Sequence, residues 1–191
     1  MNSNALRIVC PGLEDGGVFP PDHTGRGRDL SPEIRLENLN PRARTLVVIL
    51  EDLSHPIVGI SSTLLRFRPA AKTAPTPLSP PLPTRTASPD SREDPGGFTH
   101  WVLWNYPAGP VIPGGLPGGK RLENGALQGT AYGLHRYAGP KPPPFSRHRY
   151  RLTVCALDCV LDLPPSARKK DLLKAAQGHI LQSGSLTARF P

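Results

Sequence analysis

Two histidines and an aspartate stand at the ends of apolar runs in this chain. His100 opens WVLW, His148 lies in HRYRLTVCAL, and Asp52 closes LVVILED. Short apolar runs with turn residues around them read as strands, so both imidazoles would project from strand starts towards one edge, with a carboxylate leaving a third strand beside them. An imidazole can donate, accept or carry charge, and a neighbouring carboxylate can orient it. Arg147 and Arg149 flank His148, and that positive surrounding suits a small anion. Between the histidines runs GPKPP (Gly139, Pro140, Lys141, Pro142, Pro143), three of whose five residues are proline. Proline lacks an amide proton and has a fixed φ, so this loop stays out of any ladder and can line a site with little ordering cost. Glu51 is the competing acid, because alternation does not choose between it and Asp52 until register is known. His55, His135 and His179 are weaker candidates; His135 would extend the rim and His179 would pack or cap a helix.

No GxSxG, HExxH, P-loop or GxGxxG fingerprint occurs, and GGLPGGK (114–120) lacks the strand-to-helix context of a phosphate loop. The usual hydrolase, metalloprotease and nucleotide-enzyme readings lose their support. Cys10, Cys155 and Cys159 show no metal-ligand spacing and read as reduced packing residues, so neither a metal nor an organic cofactor is expected. The formal charge of +8 is spread along the chain, with short clusters only at 147–151 and 168–170. Nucleic acid is therefore not the expected partner; a basic surface drawing small anions is. The N-terminus has no apolar secretory core and no segment is long enough to span a bilayer, which predicts a cytoplasmic protein.

The elements that must position these residues are mostly strands. Runs at Leu46–Leu50, Trp101–Tyr106 and Arg149–Leu157, with weaker ones at Ala5–Cys10 and Ile34–Leu36, predict a mainly antiparallel β protein. The 25 prolines and 19 glycines fit its turns. A helix is expected after Pro164, with Leu172, Leu173, Ala176, Ile180 and Leu181 near helical spacing, followed by a short strand at Ser185–Phe190. Residues 59–97 hold eight prolines and no periodicity beyond Phe67. They read as a low-complexity insertion with little regular structure, as a Pro-rich recruiting loop, or as translated intron; 1–58 and 98–191 then make one domain.

THW at 99–101, GP.PP at 139–143, HRY at 148–150, ALD at 156–158 and GHIL at 178–181, with SPEI at 31–34 and EDLSHP at 51–56 before them, resemble the phosphatidylethanolamine-binding protein family. The match runs from about Leu30 to the end and is closest to the microbial branch similar to Raf kinase inhibitor proteins. The resemblance implies an antiparallel β-sandwich with a C-terminal helix and an anion pocket. By motif position that pocket falls on Asp52, His100, Gly139 to Pro143, His148 and Tyr150, with Phe190 as the covering aromatic.

Three positions depart from the family pattern. Ser54 stands where a second acid is usual, Lys141 lies between the paired prolines, and Phe190 lacks a tyrosine's hydroxyl. All three favour a plain anion over an amine-bearing head group. Two functions follow from the resemblance. One is a binding module for a phosphate or phospholipid head group that regulates a kinase or other partner. The other is an enzyme, or an accessory to one, in the dimerisation of maleic-anhydride polyketide monomers, as in a fungal subgroup with a similar loop. There Lys141 and His148 would stabilise an enolate and His100, oriented by Asp52, would remove a proton.

Overall fold

The computed structural model describes residues 5–54 and 98–191. The 59–97 insertion and His55 therefore lie outside the described residues. The strands in chain order are β1 (Arg7–Val9), β2 (Gly17–Val18), β3 (Ile34–Glu37), β4 (Thr45–Asp52), β5 (Phe98–Pro107), β6 (Val111–Ile112), β7 (Leu127–Gln128), β8 (Arg149–Leu157) and β9 (Ile180–Arg189). A 3-10 turn at Pro21–His23 and the helix α1 (Lys169–Ala175) complete the set. One sheet orders its strands β2-β9-β8-β4-β5-β7, the other β1-β3-β6.

The large sheet is covered on both faces, which explains why all eight residues of β4 are buried. Towards the small sheet, Leu46, Val48, Leu50, Trp101, Leu103, Leu152 and Val154 meet Ile34, Leu36 and Ile112. On the opposite face Val47, Ile49, Val102, Trp104, Cys155 and Leu157 pack with Leu172 and Ala176 of the helical segment. Each large side chain buried this way contributes roughly 1.5–3 kcal/mol. Strand alternation thus runs true along β4 and β8, and the fold is mainly β with two layered sheets.

The helix is shorter than its spacing predicts. The Asp171 carboxylate accepts the Arg168 N–H at 3.0 Å and starts it; Gly178 at φ +85° ends the excursion. Ile180 and Leu181 open β9 instead, with Ile180 paired to Leu157. Branched Ile180 satisfies its backbone in the ladder, and only Leu172, Leu173 and Ala176 belong to the helical face. The last strand is correspondingly longer than the Ser185–Phe190 segment expected.

Candidate functional site

Asp52 is the last residue of β4, beside Tyr150 in register, and its side chain is 4% exposed. A buried carboxylate needs partners, and this one has three. His148 Nδ1 donates to Oδ2 at 2.5 Å, and the Ser54 amide donates to Oδ1 at 2.8 Å. The Tyr150 hydroxyl is the third donor. Burial pushes the Tyr150 phenol far above its usual value, and the Asp52 charge and hydrogen bond push it further. Tyr150 therefore stays protonated and keeps donating. With Nδ1–H given to Asp52, Nε2 of His148 accepts when the ring is neutral and donates when it is charged.

The register sends the two adjacent acids to opposite faces of the sheet. Asp52 shares the face of Val48 and Leu50, while Glu51 turns to the helix side. There it binds the Arg151 guanidinium and the Lys169 ammonium at 2.5 Å. Lys169, on α1, is 3% exposed, so Glu51 compensates a buried cation on the face opposite Asp52.

His100 reaches the Asp52 face through a bulge. The pairing of β4 with β5 steps from Leu50–Trp101 to Glu51–Thr99, leaving His100 as the extra residue. Strict alternation would put it with Val102 and Trp104 under the helix; an inserted residue re-aims the side chain. Its ring lies 5.1 Å from that of Tyr150 and 5.0 Å from that of Tyr132. Nδ1 donates to the Ala138 carbonyl at 2.9 Å, which makes Nε2 the acceptor of the neutral ring, and the Tyr132 hydroxyl approaches it at 3.4 Å. His148 stacks on Tyr150 at 6.3 Å. The two histidines thus flank one phenol.

The Gly139–Pro143 loop is held by a segment that sequence reasoning left unassigned, HTGRGRD (23–29). Asp29 Oδ1 accepts the Gly139 N–H at 2.6 Å while Oδ2 accepts from Arg136 at 2.7 Å. The Gly25 amide donates to the Pro140 carbonyl at 3.0 Å, and Arg26 donates to the Pro142 carbonyl at 2.6 Å. Arg26 also lies 5.1 Å over the Phe190 ring, whose amide donates to the His148 carbonyl at 3.1 Å. Phe190 is thereby tied to both the loop and His148. Lys141 is exposed, its stem passing beside Gly25.

Not every weaker candidate joins this group. His135 Nδ1 donates to the Gln128 carbonyl at 2.9 Å and braces β7. His179 pairs with Asp158 at 2.9 Å, just past the opposite end of β8. Phe98 and Tyr132, which no sequence signal singled out, do join: their rings are 4.5 Å apart, with Phe98 paired to Asp52 across the ladder.

A family profile described as phosphatidylethanolamine-binding protein matches residues 83–191. The chain belongs to that family. A UPF0098 protein of Pyrococcus abyssi is 30% identical over 176 residues, covering 90% of this chain and 78% of the relative. One from Methanothermobacter thermautotrophicus is 29% identical, covering 97% of this chain and 98% of its own. The crystal structure of a phosphatidylethanolamine-binding protein homologue from Chlamydia trachomatis superposes with a TM-score of 0.71 at 25% identity, covering 99% of both chains. Escherichia coli YbcL, described as a member of the mammalian family, shares the fold at a TM-score of 0.67 and 17% identity over 97% of both chains. These phosphatidylethanolamine-binding protein relatives are archaeal and bacterial, and they lend no support to the narrower fungal maleic-anhydride subgroup. Among the described residues, no helix is long and apolar enough to cross a membrane.

Proposed function

We propose that this protein is a binding module for a small phosphate-type oxyanion, free or as a head group, seated between His100, His148 and the Gly139–Pro143 loop. The observation that carries this reading is the engagement of Asp52. Its carboxylate already accepts from His148, Ser54 and Tyr150, so it orients His148 and has most of its acceptor capacity spoken for before any ligand's ammonium arrives. His148 supplies a charged donor when protonated, and His100 Nε2 supplies an acceptor in place of its long contact to Tyr132. A donor beside an acceptor fits an oxyanion that keeps one hydroxyl, as a phosphomonoester does.

Recognition of an amine has less support at this rim. Ser54, where a second acid is usual, accepts the Arg149 N–H through its hydroxyl at 2.8 Å. Asp29 is engaged by Gly139 and Arg136, and Glu51 faces the helix. Regulation of a kinase or another partner would follow from ligand occupancy, and a partner whose binding ignores phosphate would speak against it.

The test is a thermal-shift titration with inorganic phosphate, phosphoethanolamine and an alkyl maleate, because a ligand that binds only the native state raises the midpoint. Equal shifts with the first two, lost in His148→Ala, are expected. Stabilisation by the maleate alone, with coupling of the monomer that disappears in His148→Ala, would replace this reading with dimerisation chemistry.

A further inference from the structure

Just past the end of β8 farthest from Asp52, two neighbouring side chains meet a third that lies well beyond them in the sequence. Asp158 and Cys159 follow β8, and His179 precedes β9, 21 positions beyond Asp158. The Asp158 amide donates to the His179 carbonyl at 3.1 Å, and His179 Nδ1 donates to Asp158 Oδ1 at 2.9 Å. The Cys159 carbonyl accepts the Thr45 hydroxyl at 2.5 Å, which fixes that residue's backbone against the start of β4. One carboxylate oxygen, one thiol sulfur and one imidazole nitrogen from these residues lie within 4.8 Å of one another.

Donors around a tetrahedral zinc-sized ion sit roughly 2.0–2.3 Å from it and so about 3.5 Å from each other. The donors stand up to 4.8 Å apart, so the side chains must draw together on binding; Asp158 and Cys159 are half-buried and His179 is exposed. We propose that Asp158, Cys159 and His179 form a binding site for a divalent transition ion of the zinc class, with water as the fourth ligand. Sulfur and imidazole nitrogen select a borderline-soft ion over magnesium or calcium, which take oxygen donors. On binding the thiol gives up its proton to the solvent, and the neutral imidazole exchanges its proton from Nδ1, where it bonds Asp158, to Nε2 through solvent, which frees the Nδ1 lone pair for the ion.

The ion would clip the two ends of the excursion that contains α1. Closing a loop of that length restricts the unfolded chain more than the native one. The site is about 25 Å along β8 from the Asp52 group, at roughly 3.3 Å per residue, so its test is independent of the oxyanion reading.

Cobalt(II) titration of the reduced protein, followed by zinc displacement, reads the site directly. One equivalent should bind with a near-ultraviolet thiolate-to-cobalt band and the visible bands of a tetrahedral ion. Cys159→Ser should abolish the thiolate band, and His179→Ala should weaken binding at least about tenfold. Zinc should raise the unfolding midpoint of the wild type and leave that of Cys159→Ser unchanged. Circular dichroism confirms that both variants are folded. Absence of the band in the wild type at millimolar cobalt, or its persistence in folded Cys159→Ser, overturns the proposal.

Discussion

The imidazole of His100 meets the ring of Tyr150 edge-on at 5.1 Å and 89°, although plain alternation along β5 would send it to the other side of the sheet. The bulge between Leu50 and Glu51 makes that contact. One residue more or less in this stretch would return His100 to the helix face and leave Tyr150 with His148 and Phe19.

Asp52→Asn should weaken phosphate binding by about ten- to a hundredfold, the range that corresponds to losing a hydrogen bond to a charged group. The amide can still accept from Ser54, so the turn survives while His148 loses its anionic partner. Calorimetric titration of phosphate into folded Asp52→Asn measures this. An unchanged affinity would mean that His148 needs no orienting.

Glu51→Gln is expected to separate stability from binding. It strands the buried Lys169 ammonium, a change of roughly 3–5 kcal/mol in unfolding free energy. Replacing Glu51 and Lys169 together by Leu and Met should recover most of that loss. Urea unfolding gives the first quantity and phosphate titration of the double variant the second. A large fall in affinity with stability intact would return Glu51 to the site.

Gly139→Ala tests the loop clamp. A Cβ there would lie 2.4 Å from the His23 carbonyl oxygen and 3.0 Å from Asp29 Oδ1, too close for backbone atoms to ignore. The loop must lift away from the 23–29 segment, costing about 1–3 kcal/mol and loosening the Arg26 bond to Pro142. Lower unfolding midpoint and weaker phosphate binding should appear together; a neutral substitution would show that the clamp is not needed.

Alkaline pH should destabilise the fold. Burial raises the Cys10 and Cys155 thiols from 9.0 to about 12, and the Tyr150 phenol also rises, chiefly through burial. A native state that holds its protons more tightly than the unfolded chain has that contribution in full below about pH 9. It loses it as pH climbs towards the native values. Midpoints from about pH 8 to about pH 11 should therefore fall, and a flat profile would contradict the burial of these groups. Native protein should also react with a thiol reagent fastest at half-buried Cys159, with Cys10 and Cys155 following only on unfolding.

Much of this was legible because strand ends announce themselves. Asp52 and His148 close and open apolar runs, and the prolines of 139–143 can form only a rigid connection. The face of His100 was not legible, since a bulge leaves no mark in THWVLW. Glu51 and Asp52 were inseparable for the same reason, until pairing with Arg151 and Tyr150 fixed the register. Asp29 escaped notice because it acts on a backbone amide; the one signal was an unexplained Gly- and charge-rich HTGRGRD just before SPEI. Ile180 and Leu181 kept helical spacing by coincidence, and their ladder partners lie far back in the chain.

Three local bonds seal the end of β4. Asp52 Oδ1 takes the Ser54 amide, the Leu53 amide reaches the Arg149 carbonyl, and the Ser54 hydroxyl takes the Arg149 amide. The strand end is thus tied down at Asp52, Leu53 and Ser54. For a lineage, these bonds give Asp52 a footing in its own strand end and in the strand across the ladder, so its pairing with His148 is inherited with the backbone as much as with the two side chains.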